Sequence, residues 1–260
     1  FHLWFITIIC VACLVARLKL AREKSKPTIS GFSEAFFFGF GYFIAGTYWI
    51  GSAFIARGTE FIIIMPPMVI FLSLILASFW GLAGALFSKA QKSGLVDYFG
   101  FVSLFFLAEF IRGTIFGGLP WNLLGYIFEA GGPISQSASI WGVYGLTFFA
   151  LSLGYLVYII IFTDFKWQGL VVFTIATGAI FLFGSARLLS ETSVYVENVK
   201  LRIVQIRFEQ KDKFNSLKSV EITKRYLLES ISPGIENITH IVWPEGAVSG
   251  LALENKGLLL

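Results

Sequence analysis

The chain is 260 residues long, 56% hydrophobic and only 14% charged, with a formal net charge of +4. A soluble domain carries about 25% charged residues, so an ordinary water-soluble globule of this length is excluded. The whole positive excess sits in residues 1–189, with 11 Lys and Arg against 7 Asp and Glu, while residues 190–260 hold 9 of each; the basicity follows the apolar part and reads as a membrane-topology signal, not as a nucleic-acid patch.

A helix needs roughly 20 apolar residues to cross the hydrocarbon core. Six runs qualify: Phe1–Ala16, which is expected to be clipped at its start, Phe32–Ala56, Phe61–Phe87, Leu95–Ile111, Ser139–Phe162 and Gly169–Leu188. Pro66 and Pro67 fall near the start of the third run, where a helix accepts them by kinking or by starting late. The two cysteines, Cys10 and Cys13, lie inside the first run; a redox C-x-x-C needs a soluble βαβ setting, so both are expected as packed thiols. Gly81, Gly84, Ala85, Gly142 and Gly145 are expected at close helix contacts.

Basic residues prefer the cytoplasmic side. The loop after the first run carries Arg17, Lys19, Arg22, Lys24 and Lys26; the loop after the third carries Lys89 and Lys92; the loop after the fifth carries Lys166. These alternate with loops holding only Arg57, Arg112 and Arg187 at span ends, where such side chains can snorkel to the interface. The segment after the sixth run is therefore expected on the extracytoplasmic face. Phe1 then lies outside too, so the chain reads as a piece of a longer protein with an odd number of helices before it. Glu109 and Arg112 stand three residues apart on one helical face, as a structural ion pair or as a contact for a substrate headgroup.

Gly113–Pro133 is a loop of low charge containing Gly117, Gly118, Pro120, Trp121 and Asn122. It reads either as an aromatic anchor at the interface or as a mouth that admits a lipid chain. From Lys200 the pattern changes. Lys200–Ile206 is expected as a mainly buried strand, Phe214–Ile231 as a helix with Leu217, Val220, Tyr226, Leu227 and Ile231 on one face, and Ile238–Trp243 as a second strand ending at Pro244-Glu245-Gly246. Strand, helix, strand over this length predicts a right-handed parallel crossover. Glu245 then follows the carboxyl end of a parallel strand, where ligand sites of open α/β sheets gather. Held beside Trp243 and partly out of water, it is a candidate general base; a surface turn residue is the alternative.

Four segments together resemble the apolipoprotein N-acyltransferase family: AEFIRGTIFGGLPWNLLGY (Ala108–Tyr126), QSASIWGVYGLTF (Gln136–Phe148), RIVQIRFEQKDKF (Arg202–Phe214) and HIVWPEGA (His240–Ala247). The resemblance implies a membrane helical bundle, here residues 1–189, followed by the start of a nitrilase-like α/β domain over residues 190–260. It also implies a bacterial inner membrane with the second domain in the periplasm. The activity implied is ping-pong acyl transfer. A Cys thiolate takes an acyl chain from a phospholipid, releasing lysophospholipid, and the amine of a lipoprotein's N-terminal diacylglyceryl-cysteine accepts it. Within a Glu-Lys-Cys triad, Glu245 matches the general base, and the Lys stabilises the oxyanion. Substrate-binding roles fall to Pro120, Trp121, Asn122, Phe214 and Trp243. The partners implied are the phospholipid donor, the diacylated apolipoprotein acceptor and membrane lipid, with no cofactor, metal or nucleic acid.

Beyond Glu245 the sequence departs from the family. The family's triad Lys and Cys lie further downstream, as does a final membrane helix; Lys256 sits too close behind the strand, and Cys10 and Cys13 lie in a span. The 260 residues are thus expected to be an inactive portion of such an enzyme, with a non-catalytic lipid-binding or scaffold protein as the alternative. Phe214 stands where the family motif commonly has Trp, keeping an aromatic wall without an indole donor.

Overall fold

The computed structural model describes residues 4–90, 94–190, 195–208, 212 and 216–247. The chain divides into two units, Phe1–Trp49 with Pro67–Glu191, and Ile50–Pro66 with Thr192–Leu260. Among the described residues, six helical stretches are long and apolar enough to cross a membrane, as the six runs predict. They are built on α1 (Trp4–Arg22), α2 (Pro27–Thr47), α4 (Met65–Lys89), α5 (Gly94–Thr114), α6 (Ala138–Phe162) and α7 (Lys166–Ser190), the second stretch running on to Ile55 and the fifth starting at Ile134. A short α3 (Ser52–Arg57) follows α2 after a 3-10 turn at Tyr48–Gly51.

The helix ends differ from the apolar runs for local reasons. α1 continues past Ala16 to Arg22 because Leu18 and Ala21 remain buried on the inner face, and Lys19 and Arg22 sit well at a helix C-terminus. α2 begins at Pro27, whose fixed φ and missing N–H suit the first turn. Pro66 and Pro67 likewise occupy the first turn of α4, which starts at Met65 rather than Phe61.

In the first unit α6 lies at the centre. Leu146, Thr147 and the stretch Phe149–Leu156 are buried all round, the mark of a helix enclosed by others, and α1, α5 and α7 pack on it. α7 buries only Gly169 and Gly184, so most of its surface faces outward. Trp80 of α4 is fully buried; Phe38 and Tyr42 stack on it at 5.7 and 5.5 Å, and Phe43 and Phe105 meet it edge-on. Such aromatic pairs each add about 0.5–1.5 kcal/mol beyond burial.

Cys10 and Cys13 face outward from α1, correcting the expectation of packed thiols. Being three residues apart, they share the face opposite Ile8, Val11 and Val15, which take the contacts. Of the expected close-contact glycines, Gly84 meets Ala35 and the Gly31 carbonyl of α2, and Gly81 meets Phe32. Gly142 instead kinks α6, with φ 67, and Gly145 abuts Trp141 of its own helix.

The buried charged groups of this unit sit at the two ends of α5. At its start, buried Asp97 receives Lys19, Arg22 at 2.6 Å and the Tyr155 hydroxyl at 3.1 Å. At its end, buried Glu109 and Arg112 pair with each other. Charges in an apolar medium persist only when neutralised in this way.

In the second unit β1 (Leu201–Ile203) and β2 (His240–Val242) pair in parallel, Arg202 opposite Ile241, with α8 (Ser216–Ser230) between them in sequence. The strand, helix, strand order and the parallel direction agree with the sequence. The strands are shorter than the runs 200–206 and 238–243, and the expectation of a mainly buried first strand is corrected. Only one face meets α8: Val204 packs with Ile222 and Tyr226, while Leu201 and Ile203 on the other face are 55% and 73% exposed. A parallel strand needs both faces covered to be buried. The buried stripe of α8 is Ser219, Ile222, Tyr226 and Ser230, spaced by three or four residues. Val220, Leu227 and Ile231, expected on the apolar face, point outward. Arg202 donates to the carbonyls of Ser230, Ser232 and Pro233, satisfying groups left open at the end of α8.

A Cβ added at Gly84 would lie 2.5 Å from the Gly31 carbonyl oxygen and nearer still to Ala35 Cβ. Gly84→Ala is therefore expected to force α2 and α4 apart and to destabilise the bundle by about 1–3 kcal/mol. Gly41→Ala, where a Cβ meets nothing within 4 Å, is expected to leave stability unharmed. Thermal unfolding of both variants in mild detergent checks this.

Candidate functional site

Two places concentrate the residues singled out in the sequence, one in each unit. In the second unit, parallel pairing brings the segments that leave β1 and β2 to the same edge. Gln205–Phe208 follows the carboxyl end of β1, and Pro244-Glu245 follows that of β2. Together with Tyr226 of α8 they enclose an open cavity of about 560 Å³, within the range of small-ligand sites. Glu245 lines this cavity and is exposed, so the expected partial withdrawal from water beside Trp243 is corrected. The reason lies in the turn. Trp243 points toward α8, where its ring lies 5.3 Å from that of Tyr226 and its Nε1 donates to Ser230 Oγ at 2.8 Å. The chain then reverses at Glu245-Gly246, Gly246 taking φ 70, and carries the carboxylate out to the edge. Phe214 lies outside the described residues.

Sequence reasoning did not single out Arg207 or Tyr226 for this cavity. The signal was present: once two strands run parallel, the residues just past both carboxyl ends must be neighbours, so Arg207 belongs beside Glu245. Its guanidinium supplies a permanent positive charge at the cavity wall.

In the first unit, Pro120, Trp121 and Asn122 sit together on the loop between α5 and α6, and Arg112 holds that loop. The Arg112 side chain is wholly buried. Its Nε and Nη2 donate to the two carboxylate oxygens of Glu109 at 2.8 and 2.7 Å. Nη1 donates to the carbonyls of Leu119 and Trp121, both at 2.9 Å, and Nη2 also donates to that of Asn122 at 3.2 Å. All five guanidinium N–H groups thus have an acceptor. The Phe43 ring lies 4.8 Å from the guanidinium carbon, and Trp80 Nε1 donates to Glu109 at 2.6 Å.

Of the two readings left open for Glu109 and Arg112, the structure shows the ion pair. The snorkelling expected of Arg112 is corrected, because the loop folds back over the side chain and brings it carbonyls. The loop needs special backbone to do this. Gly118 has φ 75 and Asn122 φ 54, and the Asn122 amide sits against Gly46 of α2, where a Cβ would collide with it. Pro120 is partly buried, while Trp121 is 44% exposed, its ring 5.1 Å from that of Trp49. Two indoles side by side and half exposed suit a membrane interface, where one edge is wet and the other apolar.

Among the described residues no group of three or more His, Cys, Asp or Glu is placed to hold a metal ion. Chemically, the second-unit cavity offers an exposed carboxylate, a guanidinium and an aromatic wall; the first-unit loop offers an anchored aromatic surface.

Comparison with known proteins matches residues 1–156, which include the whole Arg112 arrangement, to the family model described as "Apolipoprotein N-acyltransferase N-terminal domain". Similar proteins named "Apolipoprotein N-acyltransferase" include one from Rhodopseudomonas palustris, 28% identical over 260 residues, covering 95% of this chain and 48% of its own length. One from Rickettsia bellii is 29% identical over 246 residues, covering 94% and 47%. One from Haemophilus ducreyi is 31% identical over 260 residues, covering 98% and 48%. The chain spans about half the length of the curated relatives it matches.

Removing one member of a buried ion pair costs about 3–5 kcal/mol, whereas replacing both with apolar residues is often nearly neutral. Arg112→Ala is expected to lose stability of that order. The double variant Glu109→Leu/Arg112→Met is expected not to recover it, because the carbonyls of Leu119, Trp121 and Asn122 lose their donor in both. Chemical unfolding in detergent, with limited proteolysis of the 113–133 loop, tests this; full recovery by the double variant would mean that the loop does not depend on Arg112.

Proposed function

The chain belongs to the apolipoprotein N-acyltransferase family, and from that premise we propose that it is the membrane-embedded portion and opening α/β segment of an enzyme moving an acyl chain from phospholipid to the N-terminal diacylglyceryl-cysteine of lipoproteins. In this reading Glu245 is the general base. The observation that carries it is the position of that carboxylate, at the carboxyl end of a parallel strand and on the wall of a cavity with room for a substrate.

The chemistry proposed has two halves. Glu245 takes the proton of a cysteine thiol as the thiolate attacks the phospholipid ester. The acyl C–O bond breaks, a thioester forms, and the lysophospholipid oxygen leaves with the proton. The lipoprotein amine then attacks the thioester, Glu245 accepts the amine proton, and the thiolate is regenerated once the amide has formed. Cys10 and Cys13 both lie in α1, and neither is assigned the nucleophile's role. The reading places residues 190–260 in a nitrilase-like domain on the periplasmic face of the bacterial inner membrane, supported by the alternation of Lys and Arg between loops. Substrate binding is assigned to Pro120, Trp121 and Asn122 in the bundle, and to Phe214 and Trp243 in the α/β segment.

The 260 residues alone, in membranes, are expected to transfer no acyl group from phospholipid to a diacylated lipopeptide; turnover by them would show that the chemistry is misplaced. In a full-length protein carrying the segment that follows Leu260, Glu245→Gln is expected to lower the turnover rate by about 10²–10⁴-fold, with lysophospholipid release falling in step with N-acylation. Unchanged rates in that variant would remove Glu245 from the reaction.

A further inference from the structure

Tyr226 carries a polar group that the fold leaves unused. The residue is 1% exposed, its ring set against those of Trp243 at 5.3 Å and Phe208 at 6.5 Å. A phenol buried to that degree ordinarily hydrogen-bonds its O–H, yet among the described residues the Tyr226 hydroxyl has no partner. The polar groups beside it are committed elsewhere: Trp243 Nε1 donates to Ser230 Oγ, and Ser230 Oγ donates to the Tyr226 carbonyl. Nor is the hydroxyl sealed from solvent. It therefore meets open space, and the open space that Tyr226 borders is the cavity of Glu245.

Arg207 brings the second unused group to that wall. It is exposed and, among the described residues, pairs neither with Glu245 nor with any other carboxylate. A guanidinium placed there to neutralise Glu245 would be bonded to it. The cavity thus presents a phenol O–H and a permanently cationic guanidinium, both without acceptors, beside a carboxylate that can only accept. An oxygen-rich anion satisfies the first two at once. Of the two substrates in the acyl-transfer reading, the acceptor brings an amine to its reacting end, which suits Glu245 and gives Arg207 no charge to pair with. The phospholipid brings a phosphodiester, with one negative charge and two free oxygens, and hydrogen bonds to such an anion are the strong ones.

We propose that Arg207 and Tyr226 are specificity-determining residues that read the phosphodiester of the lipid, so that the cavity accepts an acyl donor by its phosphate and not by its ester alone. The inference rests on the acyl-transfer reading for the lipid's role as substrate. Recognition of the phosphate is separable from transfer. Glu245 is left free beside it to handle the proton, because the anion is held by the other two groups.

The test uses a full-length protein carrying the segment that follows Leu260, in mixed detergent micelles with a diacylated lipopeptide as acceptor. Two acyl donors with the same chains are compared, phosphatidylglycerol and the neutral diacylglycerol. The unaltered protein is expected to prefer phosphatidylglycerol in kcat/KM by on the order of 100-fold, and Arg207→Gln or Tyr226→Phe each to cut that preference about tenfold, as loss of a hydrogen bond to a charged group does. Tyr226→Phe keeps the ring and its contacts; Arg207→Lys, which keeps the charge, is expected to restore part of the preference. Arg225→Gln, exposed on the neighbouring cavity, is expected to leave the ratio unchanged. Residues that merely held the fold would lower both rates together and leave their ratio intact, and that result would overturn the inference. So would an unaltered protein indifferent to the phosphate. Inorganic phosphate at millimolar concentration is expected not to compete; competition abolished by Arg207→Gln would assign the two groups to a free anion and overturn it as well. Binding is read separately with ether-linked lipids, which have no acyl ester to give up. Preference for ether-linked phosphatidylglycerol over the ether-linked diglyceride, lost in both variants, together with no transfer from ester lipids, would defeat the transfer reading and leave the phosphate site standing.

Discussion

An apolar solvent leaves a buried guanidinium no partner except what the protein itself provides, and the first unit is organised around meeting that demand at Arg112. Two of its hydrogen bonds go to Glu109 in the preceding turn of α5, and three go to carbonyls ten residues and fewer downstream. The chain can reach those positions only by turning at Gly118 and Asn122 with positive φ. Glu109 is held in turn by Trp80, itself the hub of the aromatic cluster of α2, α4 and α5. One charged residue thus links a helix pair, an aromatic core and the fold of the 113–133 loop. The Asp97 cluster does similar work at the other end of α5, tying α1 to α5 and α6.

The second unit follows water's rules. Among the described residues most of its charges are exposed, Arg202 being half-buried, and the small core consists of Val204, Ile222, Tyr226 and Ala247. Specificity of position comes from topology: two parallel strands bring Gln205–Phe208 and Pro244-Glu245 to one edge, so that a carboxylate and a guanidinium share a cavity wall. The general-base role proposed for Glu245 needs geometry before anything else, and its exposed position on that cavity is what the proposal rests on.

Much of this was legible in the sequence. Six apolar runs gave six helices long and apolar enough to span. The Glu109–Arg112 spacing gave an ion pair, because three residues along a helix put two side chains on one face. What the sequence hid was whatever depends on chain returning from elsewhere. Snorkelling is the default for an Arg at a span end, and nothing local says that Leu119, Trp121 and Asn122 will fold back to meet it. The outward Cys10 and Cys13 show the same limit: an all-apolar helix carries no polar face to tell inside from outside, so packing partners decide. The wrongly assigned face of α8 has a different cause. Its apolar residues outnumber one stripe, and the stripe used, through Ser219 and Ser230, includes small polar residues whose burial follows from the Arg202 and Trp243 contacts nearby.

The acyl-transfer account stands on which side of the membrane Glu245 occupies. Glu245→Cys, in a chain whose own thiols are replaced by Cys10→Ser and Cys13→Ser, makes position 245 the single reactive site for a membrane-impermeant maleimide. Labelling in intact spheroplasts, unchanged when the membrane is opened with detergent, is the result the account requires. Labelling that appears only after the membrane is opened would place the carboxylate in the cytoplasm and contradict it.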